Sequence, residues 1–337
     1  MNMGNPFAHT TVQKIGGQRW SLFLIDWLVR WRRTRHDIRD LETRNMFQHY
    51  TEETYLNRAR DLKLFYRMWV PPEPKALILF IHGAGEHSGA YAHIAAECLQ
   101  RRIAFAAPDL RGFGRSEGKR GYVRHFGEYL DDLDELIGLL YTRYPELPIF
   151  LFGNSLGGLV AIRYVQQYCN KVTGVILSAP ALGIGVKLPG FLQKLIELVS
   201  LLAPEWPVEF IKWNGMLRKL KWLQAHLPEW TADMFDDPLA TIRYTPRWFT
   251  ELLRNGTKAL SEGDRFQSPL LCIYDRYDTV VNAKRIERFV DSVASGEKAC
   301  SVYDRGGHQL LHDGEVLRHV FQWLEMRCLR PDCVRGP

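Results

Sequence analysis

The amino-acid sequence predicts an α/β fold: a mainly parallel central sheet with helices on both faces and an inserted helical cap. Three observations predict it. Short apolar runs of strand length alternate with amphipathic helical segments from residue 62 onward, the pattern of strands buried on both faces. The alternation stops between residues 183 and 246, where Pro189, Pro204, Pro207 and Pro228 punctuate a helical, Trp-rich stretch. The composition, 337 residues at 46% hydrophobic and 24% charged, is that of a globule. It gives chain enough for a large core and excludes disordered or fibrous classes.

Residues 1–50 read as an N-terminal amphipathic helical extension. Trp20, Phe23, Leu24, Trp27, Leu28 and Trp31 fall at i, i+3, i+4, i+7, i+8 and i+11, one face of a helix. Arg30, Arg32, Arg33 and Arg35 follow, and residues 1–49 carry eight Lys/Arg against four Asp/Glu, most of the net charge of +6. Aromatic residues beside arginines suit residues 20–35 to peripheral contact with anionic lipid. The same face would serve packing on the protein's own core or on a second subunit. So mild a charge makes no case for nucleic acid. The apolar run at residues 21–31 is too short to span a bilayer. It ends in arginines rather than the small residues of a signal cleavage site. The expected location is cytoplasmic, with peripheral membrane attachment as the extension's alternative role. Six scattered cysteines without a CxxC pair read as reduced thiols.

The core is expected to comprise residues 51–182 and 247–330. Strands are predicted at residues 64–70 (ended by Pro71-Pro72), 77–81, 103–107, 149–152, 175–177, 270–274 and 301–303. Helices are predicted at 91–101, at 126–141, after Ser155, and at the C-terminal end from about His312. In the helix at 126–141, Asp131, Asp132, Asp134 and Glu135 lie mostly off the apolar face and read as a solvated surface rather than a metal site. Residues 183–246 read as the cap, with two apolar stripes. One is Phe191, Leu192, Leu195, Ile196, Val199 and Leu202; the other is Phe210, Trp213, Leu217 and Leu220, with Lys and Arg beside it.

The chemistry concentrates at Gly153-Asn154-Ser155-Leu156-Gly157, a G-x-S-x-G sequence followed by Gly158. A strand before it and a helix after it are the context in which such a serine is lifted above a sheet on a sharp turn. Bulk beside it would clash, hence glycines at both two-residue offsets. A serine hydroxyl is a weak nucleophile and needs a base, and the base needs an orienting carboxylate. In this architecture they follow in the order Ser, acid, His, each after a later strand. Asp275 and Asp278 both follow the strand at 270–274. Asp278 is preferred because it lies farther along, where a loop can reach over the sheet; Asp304 is the remaining rival. His308 is preferred over His312 because it sits on the loop past the last strand. A tetrahedral oxyanion needs donors: the N–H of Leu156, after the nucleophile, and that of Ala84, in the loop after the strand at 77–81. His82 and His87 in that loop read as making local hydrogen bonds.

These segments resemble the α/β-hydrolase superfamily and, within it, the monoacylglycerol lipase/lysophospholipase (serine aminopeptidase S33-like) group. The resemblance rests on His82-Gly-Ala-Gly-Glu-His-Ser-Gly89-Ala-Tyr91, Asp109-Leu-Arg-Gly-Phe-Gly-Arg-Ser-Glu-Gly118 and Gly153-Asn-Ser-Leu-Gly-Gly158. Asp237-Pro238-Leu239, Asp278 with Val280-Val281, and Gly307-His308 also fit, so it covers residues 60–325. It implies Ser155 as nucleophile, Asp278 as acid, His308 as base, and Ala84 and Leu156 as the oxyanion hole. The chain departs from the group at residue 154, Asn where His is frequent, in its N-terminal 50 residues, and in its cap.

The expected activity is hydrolysis of the carboxylic ester of a single-chain lipid, monoacylglycerol or lysophospholipid, through an acyl-enzyme. Cap residues between Leu188 and Trp230 are expected to shape an acyl tunnel, and the reaction calls for no metal or organic cofactor. A general carboxylesterase or a lipid acyltransferase would use the same acyl-enzyme. A binding module on the same scaffold would be expected to lack one of the three catalytic side chains.

Overall fold

The computed structural model describes residues 12–14, 48–57, 61–168, 171–185, 189–207, 237–305 and 307–328. The helix expected over residues 20–31, the second cap stripe, Trp213, Trp222, Trp230, Cys169 and Cys333 lie outside the described residues.

Among the described residues, nine strands form one sheet: β1 (Val12–Lys14), β2 (Tyr50–Asn57), β3 (Leu62–Trp69), β4 (Ala76–Ile81), β5 (Ile103–Pro108), β6 (Ile149–Asn154), β7 (Gly174–Ser178), β8 (Leu270–Asp275) and β9 (Lys298–Tyr303). Their order is β1-β9-β8-β7-β6-β4-β5-β3-β2. β3 runs antiparallel to both β2 and β5, and all other neighbours are parallel. The predicted runs are the central strands, and every residue of β4 to β8 is buried. β2 was not anticipated. Its Tyr-Thr-Glu-Glu-Thr-Tyr-Leu-Asn sequence lies at the sheet edge with only Tyr55 and Asn57 buried, so it lacks the continuous apolar run that betrays a strand covered on both faces.

Among the described residues there are seven α-helices, α1 (Ala92–Gln100), α2 (Gly127–Arg143), α3 (Leu156–Gln167), α4 (Gly190–Leu202), α5 (Pro246–Ser261), α6 (Ala283–Ser292) and α7 (Gly314–Cys328), with α4 packed beside α5. Alternation along each strand builds two cores. Leu77, Leu79 and Ile81 of β4 face α2, α3, α5 and α6. Ile78 and Phe80 face α1 and α7. Burying each such Leu, Ile or Phe contributes about 1.5–3 kcal/mol.

Three expectations are corrected. Asp132 is not solvated: it is 3% exposed and takes a two-pronged contact from Arg111, 2.5 Å at both Nε and Nη2. Asn57 donates to the same carboxylate at 2.5 Å. Helix periodicity put it off the apolar stripe, but the loop carrying Arg111 folds over that flank. His312 does not begin α7; it ends a 3₁₀ turn, Leu310–His312, and stacks on His93 with ring centroids 5.0 Å apart. The first cap stripe splits. Leu192, Ile196 and Val199 are half-buried beside α5, whereas Phe191, Leu195 and Leu202 are exposed together with Leu198 and Leu201. Among the described residues, no helix is long and apolar enough to cross a membrane.

From β4 the chain steps to β5 on one side of the sheet, then returns to place β6 on the other. That reversal opens a crevice at the carboxyl ends of β4 and β6, where ligands bind in open α/β sheets. The Gly83–Ala84 loop and Ser155 both lie there.

Candidate active site

β6 ends in Gly153 and Asn154, and α3 starts at Leu156. Ser155 between them has φ 52° and ψ −110°, a backbone conformation that costs a non-glycine residue about 1–3 kcal/mol. The surroundings hold it there. Ser155 N–H donates to Ser178 O at 2.9 Å, and its carbonyl accepts from Leu159 N–H at 3.1 Å and Ala181 N–H at 2.9 Å. The flanking glycines permit the close approach: a Cβ on Gly157 would lie 2.0 Å from Ile81 O, and one on Gly153 would lie 2.3 Å from Gly157 O. Ser155 stands at the N-terminus of α3, whose first N–H groups and dipole favour negative charge.

The expected acid and base meet. His308 Nδ1 lies 2.7 Å from Asp278 Oδ2. The other carboxylate oxygen accepts from Val280 N–H at 2.7 Å and Val281 N–H at 3.0 Å, so the Asp278 side chain, fully shielded from solvent, cannot swing away. A carboxylate facing Nδ1 holds a proton on that nitrogen and leaves Nε2 with its lone pair.

The rivals are engaged elsewhere. Asp275 is buried and braces two loops, accepting from Tyr277 N–H and Arg305 N–H, each at 2.7 Å. Asp304 makes an exposed ion pair with Arg276 at 3.2 Å.

Ala84 follows β4, and Leu156 is the first residue of α3. In the Ala84 loop, His82 is fully buried, accepts at Nε2 from Leu110 N–H (3.0 Å) and donates from Nδ1 to Gly83 O (2.7 Å). Burial lowers its pKa and keeps the ring neutral. His87 reaches farther than expected. Its Nδ1 accepts from Gly89 N–H at 3.1 Å, and its Nε2 lies 2.7 Å from Asp237 Oδ2. That bond ties the loop to the end of the cap segment, where Thr241 N–H donates to Gly85 O at 3.0 Å.

Sequence reasoning assigned no role to two further groups. Asp109, wholly buried, accepts from Ser88 N–H (2.7 Å), Ser88 Oγ (2.5 Å) and Arg115 N–H (2.8 Å), fastening the loop after β5 to the loop after β4. Glu86 binds within the Gly83 turn. The available signal was a carboxylate embedded among glycines, where backbone N–H groups converge.

A doubly wound sheet that delivers a strained serine to its switch point, with a His–Asp pair on the loops after β8 and β9, is the architecture of the α/β-hydrolases. More narrowly, the chain belongs to the serine aminopeptidase, S33 family, whose profile matches residues 72–315. The phospholipase YtpA of Bacillus subtilis is 31% identical over 249 residues, covering 73% of this chain and 93% of that protein. The monoacylglycerol lipase of Mycolicibacterium smegmatis is 27% identical over 268 residues, covering 78% of this chain and 93% of that protein. Among solved structures, the monoacylglycerol lipase of Paleococcus ferrophilus superposes with a TM-score of 0.65 at 26% identity, covering 78% of this chain and 99% of that one. The chain is an ester hydrolase of this family.

Proposed function

We propose that the protein hydrolyses the carboxylic ester of single-chain lipids, monoacylglycerols or lysophospholipids, with Ser155, His308 and Asp278 as a catalytic triad. The observation that carries this reading is the 2.7 Å His308–Asp278 hydrogen bond at the sheet end that also bears the strained Ser155. The lipid substrate class is supported by the phospholipase and monoacylglycerol lipase relatives and by the apolar composition of the cap segment, residues 183–246.

Ser155 Oγ attacks the ester carbonyl while His308 Nε2 accepts its proton. Asp278 keeps the imidazole oriented and stabilises its charged form. The carbonyl oxygen becomes an oxyanion that accepts from Ala84 N–H and Leu156 N–H. Collapse breaks the bond to the alcohol, which leaves with the proton from His308, and Ser155 stays acylated. Water then gives a proton to His308 as it attacks the acyl carbon. Collapse of the second intermediate breaks the Ser155 Oγ–acyl bond, with His308 returning the proton to Ser155 Oγ and the fatty acid leaving. Every step is a proton transfer or acyl transfer within the triad.

The test is a substrate panel of monoacylglycerols, lysophospholipids and short-chain esters, with and without glycerol as acceptor. Fatty acid released from the single-chain lipids, and lost in Ser155→Ala, is the expected result. Full activity in Ser155→Ala would overturn the mechanism, and acyl transfer to glycerol exceeding hydrolysis would overturn the reaction type.

A further inference from the structure

Within this reading of the site, we propose that Glu86 is a positioning residue for the reaction, the brace that sets the two oxyanion donors at a fixed separation. The donors belong to different segments. Ala84 sits on the loop after β4 and Leu156 on the turn after β6, and no covalent geometry relates them. Glu86 Oε2 bridges these segments. It accepts from Gly83 N–H at 2.8 Å, from the hydroxyl of Tyr91, and from Asn154 Nδ2 at 3.5 Å. Asn154 Nδ2 also donates to the Tyr91 hydroxyl at 2.9 Å.

The donors and acceptors are mutually consistent. Burial keeps Tyr91 protonated, so its hydroxyl donates to Glu86 and can only accept from Asn154. The Asn154 amide nitrogen must therefore face Tyr91, and its Oδ1 is left buried without a hydrogen-bond partner among the described residues. The approach is tight as well. A Cβ on Gly83 would stand 2.6 Å from Glu86 Oε2 and 3.3 Å from Asn154 Nδ2.

Two chemical consequences follow. Gly83 N–H is occupied by the carboxylate, which makes the neighbouring Ala84 N–H the donor this loop offers to an oxyanion. Asn154, the residue before the nucleophile, is held to the same oxygen, so a shift of the loop is a shift relative to Ser155. All three donors converge on one carboxylate oxygen. A carboxamide oxygen can therefore replace it, and the role requires an acceptor rather than a charge.

The test compares the full-length wild type with Glu86→Ala, Glu86→Gln and Tyr91→Phe, measuring kcat, KM and inhibition by lauryl trifluoromethyl ketone. That ketone adds to Ser155 Oγ, whose proton passes to His308, and presents a tetrahedral oxyanion. Losing one oxyanion donor costs about 10²–10³-fold in kcat, so misplacing one should cost about 10–100-fold. In Glu86→Ala, kcat is expected to fall by that factor with KM within about threefold. The inhibition constant should rise in step with the loss of kcat/KM, the mark of an interaction made in the transition state. Glu86→Gln should stay within about threefold of wild type, and Tyr91→Phe should fall between the two. Thermal melting identifies any variant whose loss is merely unfolding. An active Glu86→Ala, an inhibition constant that ignores the loss of kcat, or a Glu86→Gln as impaired as Glu86→Ala would each overturn the proposal alone. A wild type that hydrolyses no ester would overturn the functional reading beneath it.

Discussion

At the scale of the residue, the site depends on side chains that are absent as much as on those present. Gly157 lets α3 start against the end of β4, and Gly157→Ala would drive a Cβ to 2.0 Å from Ile81 O. Overpacking of this kind costs about 1–3 kcal/mol or more, so the urea midpoint of Gly157→Ala should fall measurably and activity should fall with it. Asp278→Asn keeps the shape but offers His308 the wrong partner, and kcat should drop by about 10⁴-fold, read from steady-state ester hydrolysis. The serine was legible because glycines and hydrophobic runs surround it in sequence. The choice between Asp275 and Asp278 was less so. Asp275 ends β8 and Asp278 follows it, and what separates them is that the Asp275 carboxylate accepts from backbone N–H groups and braces the strand ends whereas Asp278 turns toward His308. Asp132 was misread for the same reason. Its partner Arg111 precedes α2 in another loop, and helix periodicity carries no information about a loop folding over its flank.

At the scale of the element, α3 must stay seated for Ser155 to stay strained. Its Arg163, 4% exposed, pairs at 2.6 Å with Glu262 at the end of α5. Burial alone would raise the pKa of Glu262, but its hydrogen bond and attraction to Arg163 outweigh this and hold it below the usual carboxylate range. The depressed folded-state pKa means that the pair stabilises the protein above the ordinary glutamate value near 4.5 and loses that contribution as pH falls through the lower folded value. Glu262→Gln should cost about 1.5–3 kcal/mol at neutral pH. The gap between variant and wild type in urea unfolding should close in acid below that glutamate value. The N-terminal extension makes its own prediction. If residues 20–35 hold the enzyme at anionic lipid, replacing Trp20, Trp27 and Trp31 by Ala should strongly reduce sedimentation with phosphatidylserine vesicles, and unchanged sedimentation would remove that role. Central strands were legible as apolar runs. The edge strands β1 and β2 were not, because a strand with water at one side need not be apolar throughout.

At the scale of the whole molecule, the proposed function divides substrate choice, assigned to the cap segment, from chemistry, assigned to the sheet. α4 packs beside α5, with Arg247 donating to Ser200 O at 3.1 Å, while Phe191, Leu195 and Leu202 remain exposed. Each methylene of an acyl chain that the cap segment removes from water contributes about 0.8 kcal/mol. In the proposed lipid hydrolase, kcat/KM should therefore climb steeply from acetyl and butyryl esters to lauroyl and palmitoyl esters. A preference for the short chains, measured by fatty acid release, would sink the acyl tunnel.

The strand order also governs when this protein can begin to work. Ser155 leaves the ribosome long before Asp278 and His308, and β1 finds its sheet neighbour only when β9, the last of the described strands to be made, is in place. A nascent chain therefore carries Ser155 without the base of the proposed chemistry. The pairing of early and late segments makes folding depend on long loop closures and hence slow. In the proposed mechanism, catalytic competence arrives only with completion of the sheet.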